Sequence, residues 1–222
     1  MSKLWLMFDA VLFDNDGILI DTEQVYVRSC QEIVKEMFGL ELTLELYQEW
    51  GYTKGIGTQG WLGEQGIENE KINEFRKVRN KRYEKLLLQF IEPMPGVQKL
   101  LRFLSQQKIP RAIVTATYRN HLELAHRQTG LLSFFQFAVT NEDIEKSKPA
   151  PDGYFLAAKK LGITPGKCLA LEDSPRGVAA GKAAGMTVWA IPSGQTKELD
   201  FSLADKRFES LEEVLFKLQS TN

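Results

Sequence analysis

Beyond Glu92-Pro93-Met94-Pro95-Gly96, helical and strand patterns alternate to the end of the 222-residue chain, and this alternation restricts the fold more than any other feature. Residues 97–107, 120–129, 154–161, 177–184 and 211–218 have helical spacing, while 111–115, 135–139, 167–171 and 186–191 read as short apolar strands. Strands separated by helices are joined by crossovers, which are right-handed and favour parallel pairing. The expected class is α/β, with a Rossmann-like, doubly wound parallel sheet.

An earlier apolar run, from Leu4 to Phe13, belongs to the same design. Asp9 interrupts it and no small-residue cleavage site follows, so it reads as a buried strand rather than a signal peptide. It ends in Asp14-Asn15-Asp16-Gly17. Side chains two apart on a strand share a face, and Gly17 lets the backbone turn, so two carboxylates sit together at an exposed strand end. Such a pair repels unless a cation lies between the acids or one keeps its proton. One acid can then serve as a nucleophile and the other as a proton donor.

Between this strand and the α/β half lies a helical block. Residues 23–38 carry an apolar stripe ending at Gly39; 43–50 form a short helix; 51–57 form a glycine-bent loop; a further helix runs towards Gln65; and 70–90 form a long charged helix whose basic residues are a solvated face. The organisation is therefore an α/β core from residues 1–19 and 92–222 with an inserted all-α helical cap, 20–91. An insertion after the first strand is expected at the carboxyl edge of the sheet, where it can act as a lid.

Twenty-eight basic residues nearly balance twenty-nine acidic ones, so no global field favours nucleic acid or an anionic membrane. No run approaches the roughly 18 apolar residues of a membrane span. Cys30 and Cys168 lack partners at metal-ligand spacing, which suits a reducing, cytoplasmic setting. His121 and His126, five apart in a helix, do not share a face and are expected as solvated surface residues.

Further candidate groups fall at the other strand ends. Thr115, Ala116 and Thr117 offer a hydroxyl and backbone N–H groups to a phosphate, with Asn15 beside the acids as another candidate contact. Lys148 lies in a loop stiffened by Pro149 and Pro151, where its ammonium could permit crowded carboxylates to ionise and bind a phosphoryl oxygen. Cys168-Leu169-Ala170-Leu171 leads into Glu172-Asp173, a second strand ending in two acids. Hard carboxylate oxygens on converging strand ends suit Mg²⁺, although Asp173-Ser174 also reads as a helix cap.

Asp14-x-Asp16-Gly17, the strand ending in Thr115, Lys148-Pro149 and Glu172-Asp173-Ser174 together resemble the four motifs of the haloacid dehalogenase superfamily, in order. Asp21-Thr22-Glu23, Pro95-Gly96-Val97 and the stretch from Gly177 to Met186 are similar to the branch containing β-phosphoglucomutase and small sugar-phosphate phosphatases. The resemblance implies Asp14 as nucleophile forming an aspartyl-phosphate, Asp16 as general acid and base, and Thr115 and Lys148 as phosphoryl contacts. It also implies Mg²⁺ held by Asp14, the Asp16 carbonyl and Asp173, with Glu172 nearby. The expected activity is Mg²⁺-dependent hydrolysis of a small phosphorylated metabolite. Dehalogenation needs neither the second aspartate nor a metal site.

A β-phosphoglucomutase-type mutase is the alternative, but the cap-helix histidine associated with that activity is replaced by Tyr26. A non-catalytic or receiver-like module is the third reading; it would lack the helical insertion and the paired aspartates. Within the cap, Lys54 is the candidate specificity contact, and Trp50, Tyr52 and Trp61 either line a pocket or pack the helices.

Overall fold

The computed structural model describes residues 7–89 and 91–220. Contacts divide the chain into two compact units: one comprises Met1–Asp21 with Ile91–Asn222, and the other Thr22–Phe90.

Strand β1, Ala10–Phe13, is buried along its whole length. The expected strand from Leu4 is thus shorter: Met7 is exposed, Asp9 reaches Lys167 across an exposed 3.3 Å ion pair, and residues 4–6 lie outside the described residues. After β1 the chain turns at Gly17, whose φ of 76° is open to glycine at little steric cost. Ile20 then bridges Pro93, and Met94 N–H donates to the Leu19 carbonyl at 2.9 Å, joining the segments where the chain leaves and re-enters this unit.

The helical unit contains α1 (Glu23–Phe38), α2 (Leu44–Gln48), α3 (Gly57–Glu64) and α4 (Asn69–Leu87). Helix α1 ends where Gly39 adopts φ 66° and donates its N–H to the Lys35 carbonyl. Its buried stripe, Val27, Cys30, Ile33 and Val34, and the α4 positions Ile72, Phe75, Arg79, Tyr83 and Leu87 repeat every three or four residues. Trp50 and Trp61 pack in the same cluster as Phe75 and Leu62. They are core residues of this unit.

One expectation fails between α2 and α3. Glu49–Thr53 is a π-helical turn rather than the end of an α-helix and the start of a loop, with Lys54 N–H donating to Glu49 O at 2.8 Å. The wider turn accompanies local contacts along the same segment: Lys54 Nζ lies 3.5 Å from the Trp50 ring centroid and 2.9 Å from Glu49 Oε1.

The other unit continues with α5 (Val97–Gln106), β2 (Arg111–Val114), α6 (Arg119–His126), β3 (Ala138–Val139), α7 (Asp152–Leu161), β4 (Cys168–Glu172), α8 (Pro175–Ala183), β5 (Thr187–Ala190), β6 (Lys206–Arg207) and α9 (Leu211–Gln219). The sheet has the order β3-β2-β1-β4-β5-β6 and every pairing is parallel. The residues of β1, β2 and β4 are all buried, as expected when helices cover both faces of a parallel sheet. The strand expected over 135–139 is only two residues long: Leu131–Phe134 is a 3₁₀ turn, and the Phe135 ring packs edge-on against Phe13 with centroids 5.5 Å apart. No sequence signal marks strand β6, because its two exposed basic residues carry no apolar alternation. No helix among the described residues is long and apolar enough to cross a membrane.

Phe75 is fully buried in the cluster of the helical unit. Its replacement by alanine is expected to cost about 3–5 kcal/mol through lost transfer energy and a residual cavity. Urea unfolding followed by signals from both units should show the loss in the transition of the helical unit.

Candidate active site

The strand order reverses direction at β1 and β4, because β2 and β3 extend the sheet on one side while β4, β5 and β6 extend it on the other. In open α/β sheets, the crevice beyond the carboxyl ends at such a reversal is the usual place for a ligand. Register makes those ends converge: Phe13 pairs with Leu171 and Ile113, and Asp14 N–H donates to Leu171 O at 3.0 Å. Asp14, Thr115 and Glu172 are thereby brought together by backbone pairing.

Lys148 connects them. Its Nζ lies 2.7 Å from Asp14 Oδ1, 2.7 Å from Glu172 Oε1 and 2.9 Å from the Val114 carbonyl. An ammonium has three donors, and all three are used, so the charge is held at a fixed point. Tyr154 donates its hydroxyl to the same Glu172 oxygen, and Arg176 donates to the Lys148 carbonyl. Spacing did not single out Tyr154 or Arg176. A sequence signal existed only for Arg176, a cation in the first turn of a helix, where the dipole disfavours positive charge.

The carboxylates outnumber this cation. Oxygen atoms of Asp14, Glu172 and Asp173 lie within 4.8 Å of one another, and all three residues are buried. Burial pushes the Asp14 carboxyl up to about 8, assisted by the charges of Glu172 and Asp16 and opposed by Lys148. Burial also works against the Lys148 charge, but Asp14 and Glu172 outweigh it and raise its pKa. These carboxylates suit a divalent cation. Glu172 Oε2 has no hydrogen-bond partner among the described residues, and the donor set consists of hard oxygens. Two glycines leave room for it: a Cβ on Gly17 would lie 2.2 Å from Asp173 Oδ2, and one on Gly177 would lie 1.9 Å from Glu172 Oε2.

The remaining candidates have distinct surroundings. Asp16 is half-buried and accepts from the Thr117 hydroxyl at 2.8 Å. Thr115 is buried, and its Oγ1 accepts from Thr117 N–H at 3.0 Å, leaving the Thr115 hydroxyl proton available to another acceptor. Both Thr117 groups are thus directed at Thr115 and Asp16. Ala116 is exposed. The Asn15 side chain is turned into the core and is only 1% exposed. Lys54 belongs to the other unit and pairs with Glu49.

The histidines correct the reading of them as surface residues: His121 and His126 are only 6% and 3% exposed. His126 Nε2 lies 2.7 Å from Asn15 Oδ1, and its Nδ1 lies 2.9 Å from Thr129 Oγ1. This environment depends on a residue 111 positions away, which helical spacing cannot show. Burial lowers the imidazole pKa from 6.5 to about 4, with Asp16 opposing the shift. A depressed pKa favours the folded state above the unfolded value, and this contribution disappears as pH falls through 6.5 towards 4. Chemical unfolding at pH 7 and pH 4 should therefore show a loss on the order of 3 kcal/mol attributable to this residue. His126→Gln is expected to reduce the pH dependence by that amount.

The family of haloacid dehalogenase-like hydrolases matches residues 8–185. The chain is 34% identical over 214 residues to the YhcW protein of Bacillus subtilis (strain 168), covering 94% of each chain. It is 33% identical over 208 residues to (DL)-glycerol-3-phosphatase 2 of Arabidopsis thaliana, covering 90% of this chain and 86% of that one. Among solved structures, CbbY from Rhodobacter sphaeroides in complex with phosphate aligns with a TM-score of 0.81 at 26% identity, covering 93% of this chain and 96% of that one. The matched region contains β1, β2 and β4 and every side chain that meets at their ends, so this chain belongs to the haloacid dehalogenase-like hydrolases.

Proposed function

We propose that this protein is a magnesium-dependent phosphatase that hydrolyses a small phosphorylated metabolite through an aspartyl-phosphate on Asp14. The observation carrying this reading is the placement of Lys148, which holds one oxygen of Asp14 while two further buried acids stand beside it. Asp14, the Asp16 carbonyl and Asp173 would hold Mg²⁺, with Glu172 as a direct or water-mediated partner. A bound Mg²⁺ supplies positive charge that permits the buried acids to ionise and offsets charge on the phosphoryl oxygens.

In the first step, Asp14 Oδ2 attacks phosphorus while the bond to the leaving oxygen breaks and Asp16 gives that oxygen its proton. In the second, Asp16 takes a proton from water, whose oxygen attacks phosphorus and releases phosphate and the Asp14 carboxylate. The Thr117 hydroxyl orients Asp16, and Thr115 donates its free hydroxyl proton to a phosphoryl oxygen. Lys148 keeps Asp14 in position and offsets charge on the transferred group.

The environment of Tyr26 favours hydrolysis over a mutase. Arg79 donates to its hydroxyl, and burial pushes the phenol up to about 12, so this group remains protonated near neutral pH. It does not provide the base that a histidine would. A glycerol phosphatase among the relatives makes polyol and sugar phosphates the first substrates to assay.

Sustained phosphate release should fall to background in Asp14→Asn; retained turnover would reject the covalent route. Asp16→Asn is expected to lose about 10²–10⁴-fold with a sugar or polyol phosphate but much less with an activated aryl phosphate, whose leaving group needs no proton. Because Asp14 ionises only with difficulty, calorimetry in two buffers should show proton release on Mg²⁺ binding at pH 7 and tighter binding at pH 8 than at pH 6. Binding independent of pH, or full turnover in excess chelator, would remove the metal assignment.

A further inference from the structure

We propose that His126 is a positioning residue, which sets the Asp14–Asp16 segment through its hydrogen bond to the Asn15 side chain. This inference rests on the phosphatase reading for its kinetic consequence. Asn15 lies between the proposed nucleophile and the proposed acid, and its side chain cannot reach water. Its one side-chain hydrogen bond among the described residues joins Oδ1 to His126 Nε2, while Nδ2 has no partner. The Asn15 backbone is equally involved in the turn: its carbonyl accepts from Leu19 N–H at 2.8 Å and lies 3.3 Å from the Ile18 and Ile20 nitrogens. Rotation of the Asn15 peptide would therefore move Asp14 and Asp16 together with the turn containing Gly17.

Both ends of the imidazole are fixed. A neutral ring has one donor and one acceptor, and Oδ1 facing Nε2 requires the proton there. Nδ1 then accepts from the Thr129 hydroxyl, 2.9 Å away and closer than the His126 carbonyl at 3.2 Å. Leu131 N–H donates to Thr129 Oγ1 at 3.2 Å. The chain of contacts thus runs from the segment after α6, through the ring, to the residue between the aspartates. None of its side chains touches the reacting atoms. Its effect is geometric, and small displacements of reacting groups cost rate steeply.

The test is a double-mutant cycle with His126→Phe, Asn15→Leu and the pair, together with His126→Gln, which retains an amide donor. With an activated aryl phosphate, His126→Phe should lower kcat about 10- to 100-fold with KM within about twofold. Asn15→Leu should cause a similar loss, the double variant should be no slower than either single one, and His126→Gln should recover part of the rate. Backbone amide exchange over residues 14–20 should be faster in His126→Phe than in the parent, with smaller changes elsewhere.

Losses in kcat that multiply in the double variant would overturn the proposal, because His126 would then act independently of Asn15. Unchanged exchange over 14–20 would overturn it too. If the parent protein releases no phosphate from any substrate, the phosphatase reading fails, while the exchange comparison still decides whether His126 orders the segment.

Discussion

The Lys148 ammonium is shared by Asp14, Glu172 and the Val114 carbonyl, and the surrounding arrangement depends on that three-way contact. It joins a loop after β3 to the ends of β1, β2 and β4. None of these groups could be buried alone at acceptable cost, since an isolated charge in a protein interior is penalised by several kcal/mol. Parallel pairing supplies the common level of the strand ends, and the ammonium makes their convergence tolerable. Tyr154 and Arg176 then fix its neighbours, one through Glu172 and the other through the Lys148 carbonyl.

The compensation is incomplete, and this is consistent with function. One ammonium stands beside three buried carboxylates, so Asp14 remains difficult to ionise and Glu172 retains an oxygen without a hydrogen-bond partner among the described residues. Core packing would favour apolar residues at these positions. Strain of this kind persists when the rest of the fold over-determines it, as the buried strands and the packed helices beside them do here. The helical unit manages its own buried cation differently: Arg79 lies against the Tyr26 and Phe75 rings and donates to the Tyr26 hydroxyl. Aromatic faces and hydroxyl contacts offset the desolvation of its guanidinium.

Much of the core was legible because its signals are local. An apolar run ending in acids marks both β1 and β4, and Gly39 ends α1 in left-handed backbone where its apolar stripe stops. Features that depend on distant partners were less visible. The shortened β3 accompanies Phe135 packing on Phe13. The burial of His126 is hidden for the same reason: its helical position is compatible with solvent, whereas its ring is tied to Asn15, 111 positions away.

The sequence by itself determined the alternation that requires a parallel sheet and the types of chemical group at its strand ends, because periodicity and residue identity are carried by the chain. Tertiary structure decided which oxygen each donor reaches, that burial raises the Asp14 carboxyl, and that the Asn15 side chain faces an imidazole. Those properties arise from distance and desolvation between residues remote in sequence. They exist only after the sheet has brought its strand ends together.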